Sequence, residues 1–327
     1  MLEKVRLGFV GTGGIANHHL KQLKEIPETE IVALCDVVAE RAQARAQEFG
    51  GRAFVDYRRM LDEVEIDALY VCVPPPAHDD IELRAAARGI HLFVEKPVTL
   101  SLAQALEIRA AVREAGILTC TGYVLRHLPS TQAALRYLKG KTVAMAVASR
   151  WGGLPAMPWW RVMAQSGGQL VEMTTHQVDL MRYLVGEIVE VHARYAHRTL
   201  AHTPTVTVPD VQIATFQFAN GAIGSVTTSC ALTQGGGKCD LDFILQNALL
   251  HYTTRELRVT PEGAPQPESV GDTLSINQAF IRAVATGDRS PILCDYDEGV
   301  RTLDVTLTAN RSAETGRPGK TYFSEHE

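Results

Sequence analysis

Nowhere does the 327-residue chain offer the roughly 20 consecutive apolar residues that a membrane-spanning helix requires. No long basic run is present either, and the formal net charge is −5, which argues against a surface built for nucleic acid or an anionic membrane. Neither partner is expected; small soluble ligands are. The first apolar run begins so near Met1 that no secretory signal fits ahead of it, and a cytoplasmic protein is the expectation. Cysteine is sparse and unpatterned: Cys35, Cys72, Cys120, Cys230, Cys239 and Cys294 show no Cys-x-x-Cys spacing. The first three close predicted strands, so the six read as reduced packing residues, and no metal site is expected. Internal repeats, low-complexity tracts and long linkers are absent as well.

What is present is an ordinary globular composition, 46% hydrophobic and 21% charged, on a chain long enough for two domains. Its organising stretch is Val5 to Ala16, where an apolar run stops at Gly11-Thr12-Gly13-Gly14-Ile15-Ala16 and a helical pattern begins. Gly11 permits the tight turn, Gly13 lets a pyrophosphate approach the backbone, and Ala16 lets helix and strand pack closely. The helix start then supplies free N–H groups and a positive dipole end. Such a turn alone is weak, but its context agrees. Ala16, Leu20 and Leu23 recur at helical spacing, and the next apolar run, Ile31 to Cys35, ends at Asp36, where an acid accepts from the adenosine ribose. NAD is therefore the expected cofactor, ahead of NADP, although Arg41 lies near enough in sequence to reach toward a 2′-phosphate.

Helix and strand then alternate: a helix Ala39 to Phe49, a short helix led by Asp56, and a strand Ala68 to Val73. This is the pattern of a doubly wound sheet. Pro74-Pro75-Pro76 carries the chain stiffly across the carboxyl edge to His78, so Val73, Pro74, Pro75 and His78 are candidate cofactor contacts. The strand Ile90 to Val94 delivers Glu95-Lys96-Pro97 to the same edge. There Glu95 is a cofactor candidate and Lys96 points toward the nicotinamide end; an ion pair between the two is the plainer alternative, and Pro97 admits a cis bond. Ser101 and Gln104 form a capping box for a helix ending at Ala115. The strand Ile117 to Thr121 completes the first domain, whose boundary falls at Gly122, giving domains 1–122 and 123–327.

Beyond Gly122 the reading is a helix Ser130 to Leu138, a strand Val143 to Ser149, a long loop Trp151 to Gln165, and a helix Leu170 to Val185. On that helix Glu172, His176, Asp179 and Tyr183 form a polar row. Later segments alternate as strands: Glu190 to His197, Val211 to Phe218, Ala222 to Cys230, Cys239 to Gln246 and Leu249 to Thr253, with Asn220-Gly221 as a two-residue hairpin signal. Pro261 to Gly271 reads as a mobile loop, followed by helices Ser275 to Thr286 and Asp295 to Glu314. Several of the strands are apolar on both faces, so a homodimer or homotetramer is expected.

The glycine turn, Glu95-Lys96-Pro97, Gly167-Gly168 with His176 and Asp179, and Ser312-Ala313-Glu314-Thr315-Gly316 together resemble the Gfo/Idh/MocA oxidoreductases, relatives of glucose-fructose oxidoreductase and inositol dehydrogenase. The resemblance implies an α/β Rossmann domain followed by an α+β domain with a large, mostly antiparallel open sheet, with substrate between them. It further implies that Lys96 is the site lysine, that His176 is the catalytic acid/base, and that Glu172 stands where aspartate is usual. Tyr123 and Arg126 fall in a motif that touches cofactor or substrate. This chain departs from the family at Glu172 and Thr174, where Asp and Gly are frequent.

The expected reaction is oxidation of a secondary hydroxyl on a sugar, cyclitol or sugar derivative. His176 takes the proton, Glu172 orients it, and Lys96 hydrogen-bonds the same oxygen. Arg161, Asp179 and Trp160 or Trp159 are further substrate candidates; a tryptophan pair is as well explained by core packing, and Asp179 by a bond that fixes its helix. Two other functions stay open: an NAD-retaining lyase or glycosidase, and a non-catalytic ligand sensor.

Overall fold

The computed structural model describes residues 3–232 and 234–326. The chain forms two compact units, Met1–Val124 with Leu274–Val300, and Leu125–Thr273 with Arg301–Glu327. A single division at Gly122 misses the return of 274–300 to the first unit. The backbone explains the return: Thr121 N donates to Cys294 O, and Tyr296 N donates to Thr119 Oγ1, so this late segment lies against the last strand of the first sheet.

The first unit holds a six-stranded sheet of β1 (Val5–Val10), β2 (Thr29–Cys35), β3 (Arg52–Phe54), β4 (Ala68–Val71), β5 (His91–Val94) and β6 (Thr119–Thr121). The spatial order is β3-β2-β1-β4-β5-β6 and every pairing is parallel. Strand order therefore reverses between β1 and β4, the place where doubly wound sheets take a dinucleotide. The central strands β1, β4 and β5 are largely buried and apolar because helices cover both faces. The rings of Phe9, Tyr70 and Phe93 stack across three neighbouring strands at 4.7 and 4.5 Å. Phe280, from the helix Ile276–Thr286, meets Tyr70 and Phe93 edge-on at 5.8 and 5.7 Å. That helix opens on a complete capping box between Ser275 and Gln278. At Ser101 only half of the expected box forms, because the Gln104 side chain bonds Thr99 Oγ1 and Asp79 O instead of the cap backbone.

The second unit holds β7 (Val143–Trp151), β8 (Ile188–Ala196), β9 (Val211–Phe218), β10 (Ile223–Ser229), β11 (Lys238–Leu245), β12 (Ala248–Tyr252), β13 (Leu257–Thr260) and β14 (Gly319–Lys320). Their order is β13-β12-β11-β7-β10-β9-β8-β14, antiparallel except for the β7–β10 pair. One face carries Ala146, Ala148, Phe216, Phe218, Val226 and Phe243, all buried under helices that include Val178, Met181 and Leu184. Removing an apolar side chain of this size from water stabilises the fold by about 2 kcal/mol.

Three local expectations change. The helix over Leu170 to Val185 is two helices, Gln169–Glu172 and Thr175–Val185. Thr174 N overshoots to Gln169 O, and the Thr174 hydroxyl bonds Thr228 Oγ1 on β10, which takes the residue out of a continuous ladder. The loop Trp151 to Gln165 contains a turn of 3₁₀ helix at Trp159–Arg161 and a short helix from Met163. At Asn220-Gly221 the closing pair is Phe218 N to Ala222 O. The connection therefore holds three residues, with Gly221 at φ 89° supplying the left-handed position that a three-residue hairpin needs. Pro261 to Gly271 contains an anchor: the Gln266 side chain both accepts from and donates to the backbone of Val259, covering part of the β13 edge.

Candidate active site

The glycine turn after β1 is shaped by close backbone approach. Gly11 has φ +87°, and a Cβ there would lie 2.5 Å from Cys72 O. Gly13 and Gly14 face open space, with nothing within 4 Å of an added Cβ. No side chain caps the helix Gly14–Leu23 that follows, which leaves its first-turn N–H groups for an anion. Ala16 is fully buried against the sheet.

Asp36, at the end of β2, is only 8% exposed. Its Oδ2 accepts from Thr12 N at 2.9 Å and Thr12 Oγ1 at 3.0 Å, and its Oδ1 accepts from Val38 N at 2.9 Å. The acid thus locks the glycine turn to the second strand. A cradle with room for a pyrophosphate beside an aimed carboxylate fits a dinucleotide.

Along the same carboxyl edge, Val73 is half-buried, Pro74 exposed and Pro75 buried. His78 turns inward: it is 1% exposed and hydrogen-bonded through Nδ1 to the fully buried Glu82. Its observed part is to anchor the proline loop. Glu95 also turns inward, hydrogen-bonded through Oε1 to His19 Nε2 at 2.8 Å and accepting from Lys96 N at Oε2. Lys96 is half-buried and precedes a cis peptide bond to Pro97, an isomer that the sequence left open. Tyr123 is 1% exposed.

In the second unit, the break at Met173–Thr174 sets Glu172 at the end of one helix and His176 in the first turn of the next. Both are half-buried, while the flanking polar residues Gln169, Thr174, Thr175 and Gln177 are buried. Trp160 Nε1 donates to Glu172 Oε2 at 2.5 Å. The Trp160 ring lies fully buried among Leu200, Val208 and Cys230, so this ring is core and its indole N–H holds the carboxylate; it does not offer a face to a sugar. Arg161 ties its own loop, donating from Nε to Pro155 O at 2.8 Å.

Arg126 and Asp179 are brought together with each other. The guanidinium donates to both carboxylate oxygens at 2.9 and 2.7 Å, and the residues are 2% and 1% exposed. Thr302 Oγ1 donates to Asp179 at 3.1 Å, and the Arg126 guanidinium lies 4.6 Å from the Tyr183 ring centroid. This geometry favours the fixing role for Asp179 and gives Arg126 the same role. Five of the six thiols are buried and none is in a disulfide, and burial pushes the Cys230 thiol up to about 11. Cys239 is the exception to the packing expectation: it is exposed, and its Sγ accepts from Gln177 Nε2. Among the described residues no group of His, Cys, Asp and Glu side chains could hold a metal ion, and no helix is long and apolar enough to cross a membrane.

His19 was not singled out from the sequence. The signal was there, since position 19 completes the buried stripe of Ala16, Leu20 and Leu23 at helical spacing.

Two family models match this chain: an oxidoreductase family with an NAD-binding Rossmann fold over residues 5–123, and a GFO/IDH/MocA C-terminal domain over residues 139–245. The chain belongs to the GFO/IDH/MocA oxidoreductases. It is 29% identical to the uncharacterized oxidoreductase YrbE of Bacillus subtilis, over 70% of this chain and 68% of that one. It is 26% identical to a scyllo-inositol 2-dehydrogenase (NAD(+)) of the same organism, over 97% and 96% of the two chains. The same fold is seen in the WlbA dehydrogenase from Bordetella pertussis, solved with NADH and UDP-GlcNAcA, with a TM-score of 0.84 at 23% identity over 97% and 98% of the chains. As a GFO/IDH/MocA oxidoreductase, this protein has an NAD-binding Rossmann domain, and its glycine turn and Asp36 lie within it.

Proposed function

We propose that this GFO/IDH/MocA oxidoreductase oxidises a secondary hydroxyl of a sugar, cyclitol or sugar derivative. The reading is carried by the placement of Glu172 and His176, two half-exposed ionisable side chains at a helix break whose other polar residues are buried. Likeness to a scyllo-inositol 2-dehydrogenase along nearly the whole chain supports the substrate class. The first unit serves the cofactor, and the second serves the substrate and self-association.

Bound NAD supplies the hydride acceptor. His176, with a neutral imidazole, takes the hydroxyl proton, a role worth roughly 100- to 10,000-fold in rate. Glu172, held by Trp160, orients the imidazole. Lys96 donates a hydrogen bond to the substrate oxygen as negative charge develops there. Glu172 carries one methylene more than the usual aspartate, and Thr174 adds a hydroxyl turned onto Thr228, so pocket shape is expected to differ from that of the inositol dehydrogenases. A neutral monosaccharide or cyclitol is the favoured substrate over a nucleotide sugar, since Arg126 is committed to Asp179. The test is to add sugars, inositols, uronates and nucleotide sugars to enzyme plus NAD and follow absorbance of the reduced cofactor. Reduction by a polyol or sugar is the expected result; reduction by simple aliphatic alcohols alone overturns the reading.

NAD is expected to exceed NADP in kcat/KM by at least roughly tenfold, because the buried Asp36 carboxylate opposes a 2′-phosphate. Steady-state kinetics with both cofactors check this, and a preference for NADP, through the exposed Arg41, sinks it.

The protein is also proposed to be a cytoplasmic homodimer or homotetramer. Six cysteines with no disulfide among them suit a reducing compartment. The sheet face opposite the helices carries the exposed Trp151, Ile213 and Ile223, and holds a groove of about 510 Å³ bordered by Trp151, Tyr195, Ile213 and the exposed Leu232. Apolar surface of that kind is typical of a subunit interface. Sedimentation at micromolar concentration is expected to show a dimer or tetramer, and a monomer alone refutes the assignment.

A further inference from the structure

A buried polar strut runs behind the site lysine. His19, on the helix that opens with Gly14, is 4% exposed and uses both ring nitrogens: Nε2 is hydrogen-bonded to Glu95 Oε1 at 2.8 Å, and Nδ1 to Asn277 Oδ1 at 3.0 Å. Asn277 is itself fully buried and held from two further sides. Tyr70 donates to its Oδ1 at 3.2 Å, and its Nδ2 donates to Gln22 Oε1 at 2.7 Å. At the far end, the Glu95 carboxylate receives Lys96 N and fills the space beside Gly122, where a Cβ would fall 2.7 Å from both carboxylate oxygens. The strut therefore links three things: the helix whose first turn faces the dinucleotide cradle, the peptide that presents Lys96, and the segment 274–300.

We propose that His19 and Asn277 are positioning residues for Lys96. They hold the Glu95 carboxylate in one place, and Glu95 in turn fixes the Lys96 backbone relative to the cofactor helix. The inference rests on the proposed role of Lys96 in the reaction. Removing His19 takes away a bond that fixes the Glu95 carboxylate beside Gly122, and its bond from Lys96 N is expected to shift with it. A displacement of about 1 Å at a group bonding the reacting oxygen is enough to cost about 100-fold in rate. His19 packs against aromatic rings, with Phe93 at 4.9 Å and Tyr70 at 5.6 Å between ring centroids.

The test uses the full-length protein with its lysines labelled by reductive ¹³C-methylation, the Lys96 signal being assigned by its loss in Lys96→Arg. His19→Phe is expected to move that signal, and to lower kcat by about 10- to 100-fold with the NAD dissociation constant within about threefold. Asn277→Leu, which keeps the His19–Glu95 bond but removes its brace, is expected to do the same to a smaller degree, and serves if His19→Phe does not fold. His19→Gln, which keeps a donor toward Glu95, is expected to restore part of the signal position and rate. An unmoved Lys96 signal in a folded variant overturns the proposal. A moved signal with unchanged kcat supports the coupling and instead removes Lys96 from the reaction.

Discussion

Lys96→Ala and His176→Ala are each expected to lower kcat by about 100- to 10,000-fold, the range for losing one positioned acid, base or charge-stabilising donor. NAD affinity should stay close to that of the native chain. Neither side chain belongs to the glycine turn or to the Thr12–Asp36 lock, the proposed adenosine end of the cofactor site. The measurement is single-turnover reduction of NAD with the best substrate, alongside a fluorescence titration of cofactor binding and a circular dichroism spectrum. Loss of NAD binding in a folded variant would place both residues wrongly. The pH profiles sharpen the contrast: removing His176 should abolish the acid limb that reports a neutral imidazole base, whereas removing Lys96 should leave that limb and lower the whole curve. If His176→Ala keeps the native limb, the base is another group.

The largest stability effect is expected at Asp179. Truncation to alanine leaves the Arg126 guanidinium buried with its carboxylate gone and strips Thr302 of its acceptor. Breaking a buried ion pair from one side costs about 3–5 kcal/mol. Asp179→Ala should accordingly unfold at markedly lower denaturant concentration. The double replacement Arg126→Met with Asp179→Leu should recover most of the loss, because an apolar pair of similar volume carries no stranded charge. Urea unfolding of the two single variants and the double variant tests this. A double variant no more stable than Asp179→Ala would show that the pair is needed for more than charge compensation.

Legibility from sequence followed the strength of each periodic signal. β9 appears over Val211–Phe218, as its strict alternation indicates, and the helix Ala39–Phe49 matches its pattern to the residue. Edge strands escaped: β13 and β14 have four and two residues, too few to show a period of two, and both are defined by their partners. The helix break at Thr174 was invisible because its cause is a hydroxyl on another strand. In the site, residue types were readable and orientations were not. Arg126, Asp179 and Trp160 carry the right chemistry for a substrate pocket, but each spends its polar atoms on a neighbour distant in sequence. Whether a polar group serves a ligand or the fold depends on such long-range pairing, which single-chain patterns do not encode.

The return of 274–300 to the first unit has a consequence for how the protein is made. By the time β6 leaves the ribosome, the six-stranded sheet has all its strands but lacks the helix Ile276–Thr286, which brings Phe280, Ile281 and Val284 onto the face that includes Tyr70 and Phe93. Roughly 150 residues intervene, and at about 5–20 residues per second the helix arrives some 8–30 s later. During that interval the stacked aromatic face is uncovered and Asn277 is not yet beside His19. An early fragment ending near Val124 should therefore be sticky during synthesis, and a circular permutant that begins at the 274–300 segment should fold its cofactor unit without that wait.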